Sequence, residues 1–276
     1  MFINVTMTML QILHLSFLIA SIGLLISLAE DIKYREVFSR HGILAWEIGQ
    51  TRFTHRLAGL STELLDPLLR EGRYIWVQRM AFGIAALSPA TLLVPDLLPW
   101  FAVMLLASIA LQTMRNLLGT DGADQMNIVV LTAVALGSSL PSGGLGQRAC
   151  CWFVAVQLML SYFIAGVAKI RSESWRSGVA IRGILGTESY GNASLDRLIA
   201  WHPIIPRLLC WGVMAFELAF PLVLLQLPEL TLSLVLMGIG FHAVCALVMG
   251  LNGFLWAFSS AYPSLLWCTG TIKYIS

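Results

Sequence analysis

The sequence predicts an all-α polytopic transmembrane bundle of seven or eight spans, eight being the preferred count, with interfacial amphipathic helices. Three observations carry that fold class. Of 276 residues, 58% are hydrophobic and only 12% are charged, against about 25% charged in a soluble globular domain. Mean hydropathy is +0.79. Apolar runs of about 20 residues, the length that crosses about 30 Å of hydrocarbon, recur along the chain. Such runs are far too long for barrel strands, and a helix satisfies its own backbone groups in lipid. The length suits a single domain covering residues 1–276.

The first run, Thr8–Leu28, has no charged side chain and only His14 as a titratable group. Its flank MFINVTM lacks Lys and Arg, and no small-residue cleavage site follows, so a retained span is expected rather than a signal peptide. The polar connection Glu30–Tyr74 then carries seven Lys/Arg and seven acids. Within it Leu57, Leu60, Leu64 and Leu68 recur at helical spacing before Arg70-Glu71-Gly72-Arg73. That pattern suits a helix lying on the membrane surface or a solvated loop with helical pieces. Ile75–Val94, which contains Arg79, Leu97–Met114, the short Met126–Leu140 and Ala149–Ala168 follow as candidate spans. A second polar connection, Arg171–Pro203, mixes Val179, Ile181, Ile184 and Leu185 with Arg176 and Arg182, and leaves the same two alternatives. Ile204–Leu227, Leu230–Gly250 and Phe254–Ile272 complete the set.

Charge and motifs exclude several function classes. Seventeen basic residues against fifteen acids give a net charge of +2 with no concentrated basic face, so nucleic acid is not an expected partner. Five cysteines without CxxC spacing indicate no disulfide scaffold. Histidines at 14, 41, 55, 202 and 242 show no HxxxH or HExxH spacing, so no metal is expected. Walker, GxGxxG and GxSxG patterns are absent from the sequence. With eight spans, the first, third and fifth connections share one side and hold nearly all the extramembrane Lys and Arg. The positive-inside rule places them in the cytoplasm and both termini outside.

Ionisable groups inside spans cost several kcal/mol on insertion scales and each needs a reason. Lys169 ends the run QLMLSYFIAGVAKI, either as a snorkelling helix-end lysine or as a partly desolvated amine able to act as a base. Glu217 lies mid-span, where Arg79 or Lys169 would be its partner. His242 is either a hydrogen-bonded core histidine or a titrating partner of the lysine. Asp121 and Asp124, in TDGADQMN, are either turn and cap residues or part of a site with Gln125 and Asn127. The adjacent Cys150 and Cys151 read as small hydrophobes. A lone lysine at a cavity wall contributes little packing, so Lys169→Ala is expected to leave the bundle folded.

The run YFIAGVAKIRSESWRSG (Tyr162–Gly178) resembles the signature of the vitamin K-dependent gamma-glutamyl carboxylases and their bacterial HTTM-domain relatives. In that signature a helix delivers a lysine, followed by a tryptophan and a glycine, here Lys169, Trp175 and Gly178. FHAVCALVMGLNGFLWAFSSAYPSLLW (Phe241–Trp267) resembles the family's late Phe-His helix, and FELAFPLVLL and the DGADQ turn stand in the expected order. The likeness covers nearly the whole chain. The family's catalytic enzymes carry a histidine near the turn that here reads Thr120-Asp121-Gly122-Ala123-Asp124.

The resemblance implies a membrane-embedded, carboxylase-like enzyme of the carbon–carbon lyase type. It would use a reduced quinone, vitamin K or menaquinol, to generate a base acting on a peptide or lipid. Lys169 and His242 would be catalytic; Asp121, Asp124, Trp175, Gly178 and Glu217 would bind. In the family the lysine side faces the lumen, opposite to the charge count above. The alternative is a non-catalytic membrane factor for maturation of, or immunity to, a secreted peptide, and a third reading is a quinone-binding redox accessory protein. Membrane lipids, and a secreted peptide or partner subunit, are the expected partners, in the bacterial cytoplasmic membrane.

Overall fold

Thr8 fixes the start of the first long helix, α1 (Met9–Lys33). Its hydroxyl accepts the Gln11 N–H at 3.2 Å while the Gln11 side chain accepts the Thr8 N–H at 2.8 Å, satisfying two donors that a helix start leaves orphaned. The computed structural model describes residues 6–50, 66–116, 120–202 and 204–274. Its regular structure is helical apart from a two-residue parallel pairing of β1 (Thr6–Met7) with β2 (Lys273–Tyr274). A short α2 (Trp46–Gly49) precedes α3 (Glu71–Ala86), α4 (Leu98–Arg115), α5 (Gly122–Ser138) and α6 (Leu145–Arg171). Three short helices, α7 (Glu173–Ser177), α8 (Val179–Leu185) and α9 (Ala193–Ala200), lead to α10 (Ile204–Ala219), α11 (Pro228–Met249) and α12 (Asn252–Cys268).

Among the described residues, five stretches are long and apolar enough to cross a membrane: Met9–Lys33, Pro95–Arg115, Leu145–Arg171, Ile204–Leu225 and Pro228–Met249. That is compatible with an integral membrane protein. The remaining expected spans are helical but shorter, at 16 residues for α3 and 17 each for α5 and α12. Ile75–Val94 is not one helix. Helix α3 begins four residues earlier, at Glu71, and stops at Ala86, and Ser88–Leu92 tightens into a 3-10 turn that accommodates Pro89. Thr91 donates its hydroxyl to the Ser88 carbonyl at 2.6 Å, so His14 Nε2, 2.6 Å from the same oxygen, is the donor that ties this turn to α1. Of the leucines that suggested a surface helix, Leu57, Leu60 and Leu64 lie outside the described residues, while Leu68 is exposed.

The core forms where α1 packs on α3, α5 and α12, and α12 packs in turn on α5, α6 and α11. Phe17, Leu13, Ala261 and Leu265 are fully buried there. Outward faces stay apolar: Leu236, Val244 and Leu247 on α11 are exposed while Gly238 and His242 on the same helix are buried. Contiguous exposed apolar surface of this kind fits contact with lipid. Helices α10 and α11 each lean on the inner set, α10 on α6 and α11 on α12, without packing closely on one another. The site lies in the gap between them.

One buried charge gave no sequence signal. Arg115, at the end of α4, is 2% exposed. Its guanidinium donates to the carbonyls of Leu69 (2.9 Å), Phe38 (2.7 Å) and Leu44 (2.7 Å) and lies 4.5 Å from the Tyr74 ring centroid. The planar fork of arginine can reach several carbonyls at once, so Arg115 pins the first polar connection against the bundle.

Candidate functional site

Gly166 decides how closely α6 approaches α10. A Cβ at this position would sit 3.0 Å from the Leu218 side chain and backbone nitrogen and 3.1 Å from the Glu217 Cβ, so hydrogen alone leaves room for the contact. Less than one turn later on α6, Lys169 reaches Glu217 on α10. Its Nζ lies 2.7 Å from Oε1 and 2.9 Å from Oε2. The Glu217 side chain is 4% exposed and that of Lys169 20%. The ring of Trp175 on α7 is 5.1 Å from the same ammonium, a cation–π contact.

Gly178 makes that last contact possible. It ends α7 with φ of 89°, a left-handed conformation that glycine adopts at no steric cost, and its N–H donates to the Trp175 carbonyl at 3.2 Å. A Cβ there would lie 2.6 Å from the Arg207 backbone nitrogen. The chain thus reverses tightly against the start of α10, and the Trp211 indole donates to the Arg176 carbonyl at 3.2 Å to hold the reversal.

A second polar cluster stands two turns earlier on α6. The Tyr162 hydroxyl is 2.9 Å from His242 Nε2 and 2.7 Å from the Tyr262 hydroxyl. Gly238, one turn before His242 on α11, leaves space for both phenols, because a Cβ there would collide with the Tyr262 hydroxyl. Aromatic rings enclose the cluster: Phe220 lies 4.2 Å from the Tyr162 ring and Phe258 4.4 Å from the imidazole. His242 is 4% exposed, and its Nδ1 has no hydrogen-bond partner among the described residues.

Both clusters face one cavity of about 580 Å³. Tyr162, Lys169, Trp175, Glu217 and His242 line it together with aliphatic side chains from α8, α9, α10 and α11. Its mouth lies between α10 and α11, where the lining residues Leu209 and Val244 are exposed at 45% and 58%. Short helices α8 and α9 close one end: Ile181, Ile184, Leu185, Leu195 and Ile199 turn to the cavity. These apolar residues of the second polar connection therefore face the ligand-sized space beneath them, whereas Val179, Leu198 and Trp201 of the same segment are exposed. Among the charged side chains of the described lining, only Lys169 and Glu217 occur.

The sequence candidates divide accordingly. Lys169, His242, Trp175 and Glu217 share the cavity wall, and Glu217 takes Lys169 as its partner. Arg79, the other candidate partner, is exposed with its guanidinium 5.3 Å from the Trp76 ring. Gly178 is no part of the wall and acts as the turn that delivers Trp175. Asp121 and Asp124 are also outside it. They cap α5, Asp121 Oδ1 accepting the N–H groups of Ala123 (2.8 Å) and Asp124 (2.9 Å) and Asp124 Oδ2 the N–H of Asp121 (3.4 Å). Lys169 is not the lone lysine that the sequence suggested: it is paired with Glu217, and Lys169→Ala would strand a buried carboxylate. Tyr262 escaped the sequence reading; its only signal was Gly238 one turn ahead of His242, a spacing with no meaning until α11 and α12 are docked. Cys150 and Cys151 are buried free thiols. Among the described residues, no three His, Cys, Asp or Glu side chains cluster to hold a metal ion.

Comparison of the chain with protein-family models, curated proteins and solved structures finds no match.

Proposed function

We propose that this is a carboxylase-like, HTTM-type membrane protein whose cavity binds a reduced quinone and whose Lys169–Glu217 pair accepts a proton from it. The observation that carries the reading is an ion pair set in the wall of an apolar cavity whose lining includes the exposed Leu209 of α10 and Val244 of α11. Pockets of about 300–1,000 Å³ with apolar walls and a few convergent polar groups suit small amphiphiles. The residues present fit a quinone: aromatic and aliphatic walls for its ring and tail, a phenol and an imidazole at one end, and the ion pair at the other. A reduced quinone would supply two ionisable hydroxyls and two electrons. Lys169 as an ammonium is no base. Passing its proton across the 2.7 Å bond to Glu217 gives a neutral amine beside a neutral acid, and that form can take a proton. The pair works as a unit, with Glu217 as the proton's resting place.

The same reading sets the membrane arrangement. β1 pairs with β2, so both described ends of the chain lie at one end of the bundle. This supports an even number of crossings, eight rather than seven, with α3, α5 and α12 spanning as well. The bacterial cytoplasmic membrane is the location that goes with it, as for the bacterial relatives that the signature resembles.

Lys169→Arg tests the reading. Arginine keeps the charge and a bidentate partner for Glu217 but does not lose its proton. Purified protein in nanodiscs would be titrated with menaquinone-4 and assayed for menaquinol oxidation in aerated buffer, with dioxygen as the electron acceptor. The expected result is affinity within the same order of magnitude and turnover lower by about 100-fold or more. Unchanged turnover removes the base role. The bidentate hold on Lys169 also suits a protein that binds without turnover, a non-catalytic factor; for that reading the wild type binds menaquinone-4 and oxidises no menaquinol.

A further inference from the structure

We infer that Glu217 is a specificity residue that keeps anionic lipids out, so that the ligand of this cavity is an amphiphile with an uncharged head. The inference rests on the reading that the cavity binds an amphiphile, and it adds the side chain that excludes charged heads. Phospholipids and fatty acids are the commonest amphiphiles at the mouth between Leu209 and Val244, and most carry a phosphate or carboxylate. A cavity that admits one needs a cation to receive it, because an unpaired anion in an apolar site loses its hydration without compensation.

The cavity has a cation, Lys169, but Glu217 already compensates it. Both carboxylate oxygens face the ammonium, at 2.7 and 2.9 Å, so two of its three donors are engaged and its charge is offset by an opposite one. Of the other polar groups in the lining, the Tyr162 hydroxyl and His242 Nε2 are hydrogen-bonded to each other, and the Ser161 hydroxyl donates to the Gln157 carbonyl at 2.9 Å. That leaves His242 Nδ1 as an uncharged ring nitrogen or N–H and no cation. Among the described lining residues no second cation stands ready. Of the arginines on the short helices α7 and α8, Arg182 pairs with Asp196 at 3.3 Å and Arg176 donates to the Ile170 carbonyl at 2.8 Å. An uncharged head with hydroxyl or carbonyl oxygens meets no such penalty, since it can hydrogen-bond to the third ammonium proton or to the phenol. Discrimination therefore comes from the carboxylate, which contributes no contact that a neutral head requires.

The test uses full-length protein in phosphatidylcholine nanodiscs and two probes that differ only in the head, dodecanol and dodecyl phosphate. Each is titrated as a competitor of menaquinone-4 and, separately, alone by thermal shift. Wild type is expected to take dodecanol at least tenfold more tightly than dodecyl phosphate. Glu217→Gln frees the lysine charge and should raise affinity for dodecyl phosphate at least tenfold while changing dodecanol little. Val213→Arg, one turn earlier on the same wall, adds a cation with the pair intact and should give the same gain if Glu217→Gln folds poorly. Equal wild-type affinity for the two probes overturns the inference and leaves the quinone reading standing. Preference for dodecanol without any menaquinone-4 binding sustains it and removes the quinone. Failure of all three to bind overturns both.

Discussion

Lys169 and Glu217 depend on each other more than either depends on the rest of the bundle. Removing one leaves the other charged in an apolar surround, which typically costs about 3–5 kcal/mol, whereas replacing both by apolar groups of similar size is often neutral. The two single losses should not be equal. Lys169, at 20% exposure, has a long stem that can carry its charge outwards when the partner is gone, while Glu217, at 4%, has none. Lys169→Met is therefore expected to lower stability more than Glu217→Met, and the double variant less than either. Thermal and chemical denaturation of the purified proteins would measure this. Losses that simply add in the double variant would show that the two side chains are energetically independent. At the other cluster, Tyr162 joins three helices through one oxygen, since His242 lies on α11 and Tyr262 on α12.

Small residues set the spacing of the elements around the cavity. At Gly166 the nearest atoms include backbone nitrogen of α10, which cannot rotate aside as a side chain can. Gly166→Val is expected to destabilise the protein by about 1–3 kcal/mol, the range for overpacking, and to weaken ligand binding by parting α6 from α10. Gly183→Ala on α8 is the control, because a Cβ there meets nothing within 4 Å. Thermal stability and menaquinone-4 affinity measured side by side would check the pair of variants. Equal behaviour of the two would mean that the α6–α10 spacing does not shape the site. Helices α7 to α9 illustrate the same dependence. Two of them have five and seven residues, too short to be stable alone, and the Gly178 reversal, the Trp211 bond and burial of Leu185 and Ile199 hold them in place.

For the whole molecule, the pairing of Thr6–Met7 with Lys273–Tyr274 is the strongest constraint on topology. Reporter fusions at Met1 and after Ser276 should lie on the same side of the membrane. Opposite sides would remove the eight-span arrangement. A third fusion, after Arg73, separates the two orientations: a cytoplasmic signal follows positive-inside, and an external signal follows the orientation of the carboxylase family. The exposed lining residues Leu209 and Val244, on α10 and α11, belong to this scale as well, for on the proposed function they mark where a lipid-soluble ligand would enter from the bilayer.

Composition and apolar run lengths by themselves determined the all-helical, membrane-compatible class, because hydrocarbon demands long apolar helices whatever their packing. The expected runs recur as helices, and two of them pass from α-helix into a 3-10 segment at a proline, Pro89 in one and Pro221 in the other. Lys169, Glu217 and His242 were legible one at a time, since a charge or imidazole in an apolar run is conspicuous. Which of them meet was not. Glu217 had two candidate partners 138 and 48 residues away in sequence, and only the approach of α6 to α10 at Gly166 chose Lys169. Asp121 and Asp124 looked equally suited to cap or site, and the docked helices left them as a cap. The cavity, its mouth, Tyr262 and the pinning by Arg115 depended on contacts between segments far apart in the chain. Local periodicity carries no information about those contacts, so the tertiary structure alone decided them.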